Sequence, residues 1–197
     1  MASLSPAEGK NLVALARHAV SHFLETGKRL EYPKGKFGKR GVFVTIETFP
    51  EKELRGCIGF PYPVLELEHA VVDAALSAAF RDPRFPPVRR EELGKVVFEM
   101  SVLSIPKEIE GAAAERHKKV RVGRDGLTIE RGGAGGLLLP QVAAEHNWEA
   151  EEFLKHVCFK AGLAQDAWLD QTSKVCVFRA QIFSETTPNG KVAGRKA

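Results

Sequence analysis

Val42-Phe43-Val44-Thr45-Ile46 is β-branched or aromatic at every position. Such a run fits the pleated, half-buried surface of a sheet. A short polar connection containing Pro50 follows, and the chain then returns through Leu54-Arg55-Gly56-Cys57-Ile58-Gly59-Phe60. A return this soon predicts a hairpin, with the second run as its second strand. Side chains on a strand alternate faces, so Leu54, Ile58 and Phe60 are expected toward a core. Arg55 and Cys57 then share the opposite face, about 7 Å apart, two strand rises.

That spacing has chemical content. A guanidinium so close favours thiolate over thiol and lowers a cysteine pKa. Gly56 and Gly59 leave the backbone beside the sulfur uncovered, which permits a bulge or the close approach of a ligand. Cys57 is therefore a candidate nucleophile, with Arg55 as its supporting cation. Arginine cannot shuttle the proton, so a base is also needed; His69 and His146 are the candidates, and Asp82 or Glu99 can assist. The competing reading makes Cys57 a small buried apolar residue and the glycines a twist in the sheet. Both readings stand on the residues alone.

Elsewhere the chain alternates helical and strand-like patterns. Ser5-Pro6-Ala7-Glu8 reads as a capping box with proline at the first helical position, and Leu12, Leu15, Ala16, Ala19 and Phe23 recur at helical spacing up to Gly27. His18 and His22 lie four apart but lack the intervening glutamate and third ligand of a zinc helix. Residues 28–41 form a basic, glycine-rich loop carrying Tyr32 and Phe37. This is either a stacking platform for single-stranded nucleic acid or a solvated connector with two anchoring rings. A helix is predicted from about Leu65 to Phe80, ended by Asp82-Pro83-Arg84-Phe85-Pro86-Pro87. Asp82 and Arg84 sit in a proline-stiffened loop, where they either cap and pair with each other or present themselves to a ligand.

Val96–Leu103 alternates as a half-buried strand that stops at Pro106, with Glu99 opposite Phe98, Met100 and Val102. Residues 107–118 suggest a surface helix or loop. Three short runs at 120–122, 127–130 and 137–139 predict a meander, with Gly132-Gly133-Ala134-Gly135-Gly136 as a tight turn. That glycine run lacks the Gly-Lys-Ser/Thr of a phosphate loop. Pro140 opens a short helix, Asn147 is placed to cap another over 149–161, and Gly162 stops it. The last strand is expected over 175–183, and the chain from Thr186 is expected to fray. Segments 42–46, 54–60, 96–103 and 175–183 are expected in one antiparallel sheet. Alternation without repeated βαβ units gives an α+β protein. The subdomain limits read from these patterns are 1–106 plus 172–197 for the larger and 107–171 for the smaller.

The run LRGCIG resembles the signature of the AMME chromosomal-region family. Ala79–Pro87, Phe98–Ser104, Leu138–Val142 and Lys160–Leu163 followed by Trp168 are similar to that family too, in the same order. The resemblance covers nearly everything between the first helix and Glu185. It implies two subdomains, each a small antiparallel sheet packed with helices, with the signature strand facing a cleft between them. It implies no activity, because none is established for the family.

Composition narrows the function classes. No apolar run approaches the about eighteen residues of a membrane span, and the N-terminus has no basic-then-apolar leader. Three unpatterned cysteines, 57, 158 and 176, suit a reducing cytoplasm. No metal and no cofactor are expected, given scattered ligand types. A net charge of +4 allows weak attraction to acidic partners but identifies no nucleic-acid binder. Scarce Asn, Gln, Met and Cys beside plentiful charge lean toward a thermophilic source. Two functions follow. One is a binding module gripping a protein or peptide, with Leu54, Arg55, Gly56, Cys57, Ile58 and Gly59 as one wall and Asp82 and Arg84 beside it. The other is a thiol-dependent enzyme using Cys57 with Arg55.

Overall fold

The structure is a computed structural model that describes residues 3–196. Its opening helix, α1 (Pro6–Thr26), starts as its sequence dictates. Ser5 accepts from the Glu8 N–H while Glu8 reaches back to Ser5, and Gly27 closes the helix with φ 67°. The hairpin follows as β1 (Val42–Thr48) and β2 (Leu54–Phe60), then α2 (Leu67–Phe80) and β3 (Val96–Leu103). A two-residue β4 (Lys107–Glu108), β5 (Gly126–Arg131) and β6 (Ala134–Leu138) come next, then α3 (Pro140–Glu145) and α4 (Ala150–Lys160). The chain ends in β7 (Lys174–Phe178), β8 (Ala180–Glu185) and β9 (Val192–Lys196).

The fold is α+β, with two antiparallel sheets in the orders β2-β1-β3-β8-β9 and β4-β7-β5-β6. The chain divides into two compact units: residues up to Leu103 with Gln181–Arg195, and Ser104–Ala180. In the first unit Val44, Ile46, Phe98 and Met100 are buried with Leu12 and Val20 of α1 and Val71 and Ala75 of α2. In the second, Leu127, Ile129 and Val175 are buried with Phe153, Leu154 and Val157 of α4. Fully burying one such side chain stabilises by roughly 1.5–3 kcal/mol.

Several expectations from the sequence are corrected. The run 175–183 is two strands in different sheets: β7 pairs with β5 in the second, and β8 lies beside β3 in the first. Arg179 belongs to neither ladder; its N–H donates to Ser104 Oγ at 3.0 Å and its carbonyl accepts from the Ser104 N–H at 2.8 Å. The tail does not fray from Thr186, because β9 pairs with β8. No strand forms at 120–122. The three long strands of the second sheet are instead β7, β5 and β6. The tight turn is confined to Gly132 (φ 57°) and Gly133 (φ 84°), and Gly135 and Gly136 continue into β6. A β-carbon at Gly136 would lie 2.7 Å from the Ala161 nitrogen, so close helix packing explains the extra glycines. Glu149, not Asn147, occupies the cap position of α4; Asn147 takes a left-handed turn, φ 55°.

An ion pair ties the first unit together across the chain. Arg17 of α1 holds Glu185 of β8 through two N–H bonds, 2.7 and 2.5 Å, and also donates to the Leu93 and Val96 carbonyls. Glu185 in turn accepts the Phe98 N–H of β3 at 2.9 Å.

Candidate functional site

β2 is an edge strand of the first sheet, bonded only to β1. Register runs Val42↔Phe60, Val44↔Ile58, Thr45↔Cys57 and Ile46↔Gly56, then slips so that Glu47 faces Leu54. Arg55 is the extra residue, a β-bulge of the kind that re-aims a side chain. The slip inverts the parity on which strict alternation depends. Leu54 is therefore not a core residue: it is 41% exposed opposite Glu47. Ile58 and Phe60 do pack against the core, as expected.

Arg55 does not serve Cys57. Its Nε and Nη2 donate to the two Glu92 oxygens at 2.8 and 3.2 Å. Glu92 belongs to a short 3₁₀ turn, Arg90–Lys95, and also accepts the Arg89 N–H at 2.8 Å. Bonding to Arg55 first, against the opposing effect of burial, holds the Glu92 carboxyl below its usual range. The Arg55 Nη1 is buried and has no hydrogen-bond partner among the described residues.

Cys57 is held instead from the proline-rich loop. Its outward N–H donates to Asp82 Oδ2 at 2.9 Å, and its carbonyl accepts from Arg84 Nη2 at 3.2 Å. Asp82 and Arg84 are themselves joined, Nε to Oδ1 at 2.9 Å and Nη2 to Oδ2 at 2.7 Å, and the Arg84 N–H also donates to Oδ1 at 3.1 Å. One side-chain pair thus satisfies both edge-facing backbone groups of Cys57, where a neighbouring strand would otherwise pair. Asp82 is buried; its carboxyl is held far below the usual range, chiefly by Arg84 and further by the Cys57 N–H. Arg84 is correspondingly pushed up.

The sulfur sits in a polar row. Thr45 donates its hydroxyl to Cys57 Sγ at 3.3 Å, and Thr45 is flanked on its other side by Glu99 of β3. Burial pushes the Cys57 thiol up, and the Asp82 and Glu99 charges add to that; the Thr45 bond and the Arg84 charge pull the other way and lose. Cys158 and Cys176 are also pushed up by burial, so thiol acidity does not set Cys57 apart. Access does, since Cys57 is partly exposed and the other two are buried. His69 bonds the Pro33 carbonyl at 3.0 Å and stacks on Tyr32, while His146 stacks on Trp148.

Gly56 and Gly59 have different roles beside the sulfur. A β-carbon at Gly56 would lie 2.2 Å from the Ala78 carbonyl oxygen, so α2 crosses the strand there at backbone distance. At Gly59 it would meet the Val42 oxygen at 2.3 Å. Both glycines are spent on packing. The aromatic of the basic loop is likewise engaged: Tyr32 stacks on His69 on one side and carries Arg29 at 4.0 Å over its ring, while its hydroxyl donates to Asp73 at 2.7 Å. Phe37 packs against the core, whereas Tyr32 stays exposed.

Sequence reading missed Thr45 and Glu92. Hairpin register carried a signal for Thr45, since it lies opposite Cys57. Nothing local pointed from Arg55 to Glu92. Among the described residues, no group of three or more His, Cys, Asp or Glu is placed to hold a metal ion, and no helix is long and apolar enough to cross a membrane.

Residues 13–183 match the AMMECR1 family model. The chain belongs to the AMMECR1 family. Protein PF1979 of Pyrococcus furiosus is 51% identical over 191 residues, which cover 93% of this chain and 91% of that one. Protein MJ0810 of Methanocaldococcus jannaschii is 46% identical over 200 residues, covering 100% and 99%. The crystal structure of the uncharacterized protein PH0010 from Pyrococcus horikoshii matches with a TM-score of 0.88 at 48% identity, covering 96% of this chain and 97% of that one. These AMMECR1 relatives come from archaeal thermophiles, the source toward which the composition leans.

Proposed function

We propose that this AMMECR1 protein is a binding module that takes a protein or peptide ligand, with the strand Leu54–Gly59 as one wall of the site and Asp82 and Arg84 beside it. The observation that carries this reading is the state of Cys57. A nucleophilic thiol needs a cation or a base to hold it as thiolate. Here the thiol is pushed up by burial, Arg55 is committed to Glu92, and the two candidate histidines are engaged elsewhere. What surrounds Cys57 instead is a rigid frame. Its backbone is gripped at both polar groups by a loop carrying Pro83, Pro86 and Pro87. A fixed strand with a firmly held outer edge suits recognition, because a ligand meeting it has little ordering left to do.

The alternative, a thiol-dependent enzyme using Cys57, has one supporting feature: the Arg84 charge acts on the sulfur in the lowering direction. Alkylation decides between them. Iodoacetamide labelling of the native protein across pH, read by mass spectrometry, should modify Cys57 before Cys158 and Cys176, because it is the accessible one. Its midpoint should lie above the about 8.5 of a free cysteine. A midpoint clearly below that value, lifted when Arg84 is changed to Gln, would establish an activated thiol and displace the binding reading.

A further inference from the structure

We propose that Arg84 is the anchor for a carboxylate of an acidic peptide; this rests on the binding function above and names the chemistry of its ligand. A guanidinium has five N–H donors in a fixed plane. Nε and Nη2 of Arg84 are occupied by Asp82 and by the Cys57 carbonyl. Nη1 has no protein partner among the described residues, and the side chain is 53% exposed. The carboxylate that holds it is 2% exposed. A ligand therefore meets the guanidinium and not the acid behind it.

The fork is also pre-placed. Asp82 fixes it by two bonds, the surrounding prolines stiffen the loop, and the Phe85 ring lies 5.4 Å from the guanidinium carbon. An arginine already immobilised loses little entropy on binding, and its remaining Nη1 hydrogens are placed to donate to one carboxylate oxygen. The Cys57 carbonyl on the same guanidinium sets this donor pair beside β2. An acidic side chain of a peptide lying along 54–59 then reaches it. The chain's net charge of +4 adds only a weak attraction for such a peptide.

The test selects peptides from a random display library on the full chain at low salt. Those that shift the amide resonances of 54–59 are then titrated by fluorescence anisotropy. They should be enriched in Asp or Glu. Replacing that acid by its amide should weaken binding by about two- to fivefold, the range of an exposed ion pair. Arg84→Gln should weaken it to the same degree, and the two changes together should cost no more than either alone. Affinity for the wild-type chain should also fall steeply with salt. Should Arg84→Gln unfold the loop, the peptide substitution and the salt series still decide. If peptides engage 54–59 with no acidic preference, or bind Arg84→Gln as tightly as wild type, the carboxylate anchor is wrong and the binding module stands. If no selected peptide touches 54–59, both fall.

Discussion

Asp82 is the residue on which the others depend. Its two oxygens accept from the Cys57 N–H, the Arg84 N–H and the Arg84 side chain, and it is 4% exposed. Asp82→Asn keeps the shape but weakens the charge-assisted bonds and puts an amide N–H against a donor, which should cost about 2 kcal/mol. The pH dependence has a definite sign. A carboxyl whose folded pKa lies below its unfolded value contributes stability above the unfolded pKa, about 3.9, and loses it as pH falls through the folded one. Asp82 is held far below that range, first by Arg84. Denaturant unfolding of wild type and Asp82→Asn should therefore show a constant gap from pH 8 to about pH 5, closing only in stronger acid. A gap absent at neutral pH, or one that closes by pH 5, would contradict this. The Asp82–Arg84 pair was legible in the sequence because the partners are two residues apart in a proline-rich loop. Their grip on Cys57 was not, since 25 residues separate Asp82 from Cys57 and only the tertiary fold joins them. Arg55 erred in the opposite sense: it is near Cys57 in sequence, and a bulge sends its side chain to Glu92.

Elements were legible where a local signal existed. The capping box, the proline start and the glycine stop mark α1, and alternation marks β3 as a strand but not as a half-buried one, since Val97, Ser101 and Leu103 on its Glu99 face are buried as well. The bulge in β2 had no signal beyond Gly56 itself, and the break at Arg179 had none, because the β-pattern runs through it without a turn residue. Gly56 is where sequence and packing meet at this scale. By sequence its missing side chain leaves the backbone open for a bulge or a ligand, and what approaches it is α2, by way of the Ala78 carbonyl. Gly56→Ala therefore forces backbone against backbone, which cannot relax as a flexible side chain would. A loss of about 1–3 kcal/mol is expected, the range for overpacking. Gly94→Ala is the control, because a β-carbon there meets nothing within 4 Å. Thermal melts of the two variants should separate clearly; equal melting temperatures would mean that α2 does not ride on β2 at backbone distance.

At the scale of the whole molecule, the first unit is discontinuous in sequence. Its sheet starts in the N-terminal half and is completed by β8 and β9 from the far end of the chain. The closing strand is more than an added ladder. Phe183 lies directly against Gly9 of α1, and Glu185 neutralises Arg17, whose side chain is 12% exposed. Glu185→Ala leaves that guanidinium without its anion and the Phe98 N–H without its acceptor, and removing one partner of such a buried pair costs about 3–5 kcal/mol. Ending the chain after Ala180 goes further. It removes Phe183 and Glu185 together and turns β3, an interior strand, into an edge. The second unit loses none of its sheet, because β4 to β7 all precede that point. Hydrogen exchange on the shortened chain should thus show lost protection in β1, β3 and α1, with β5, β7 and α4 still protected. Protection retained throughout the first unit would mean that its two helices and three remaining strands hold their core without the closing strands. Loss in both units together would mean that the chain unfolds as one cooperative body rather than two.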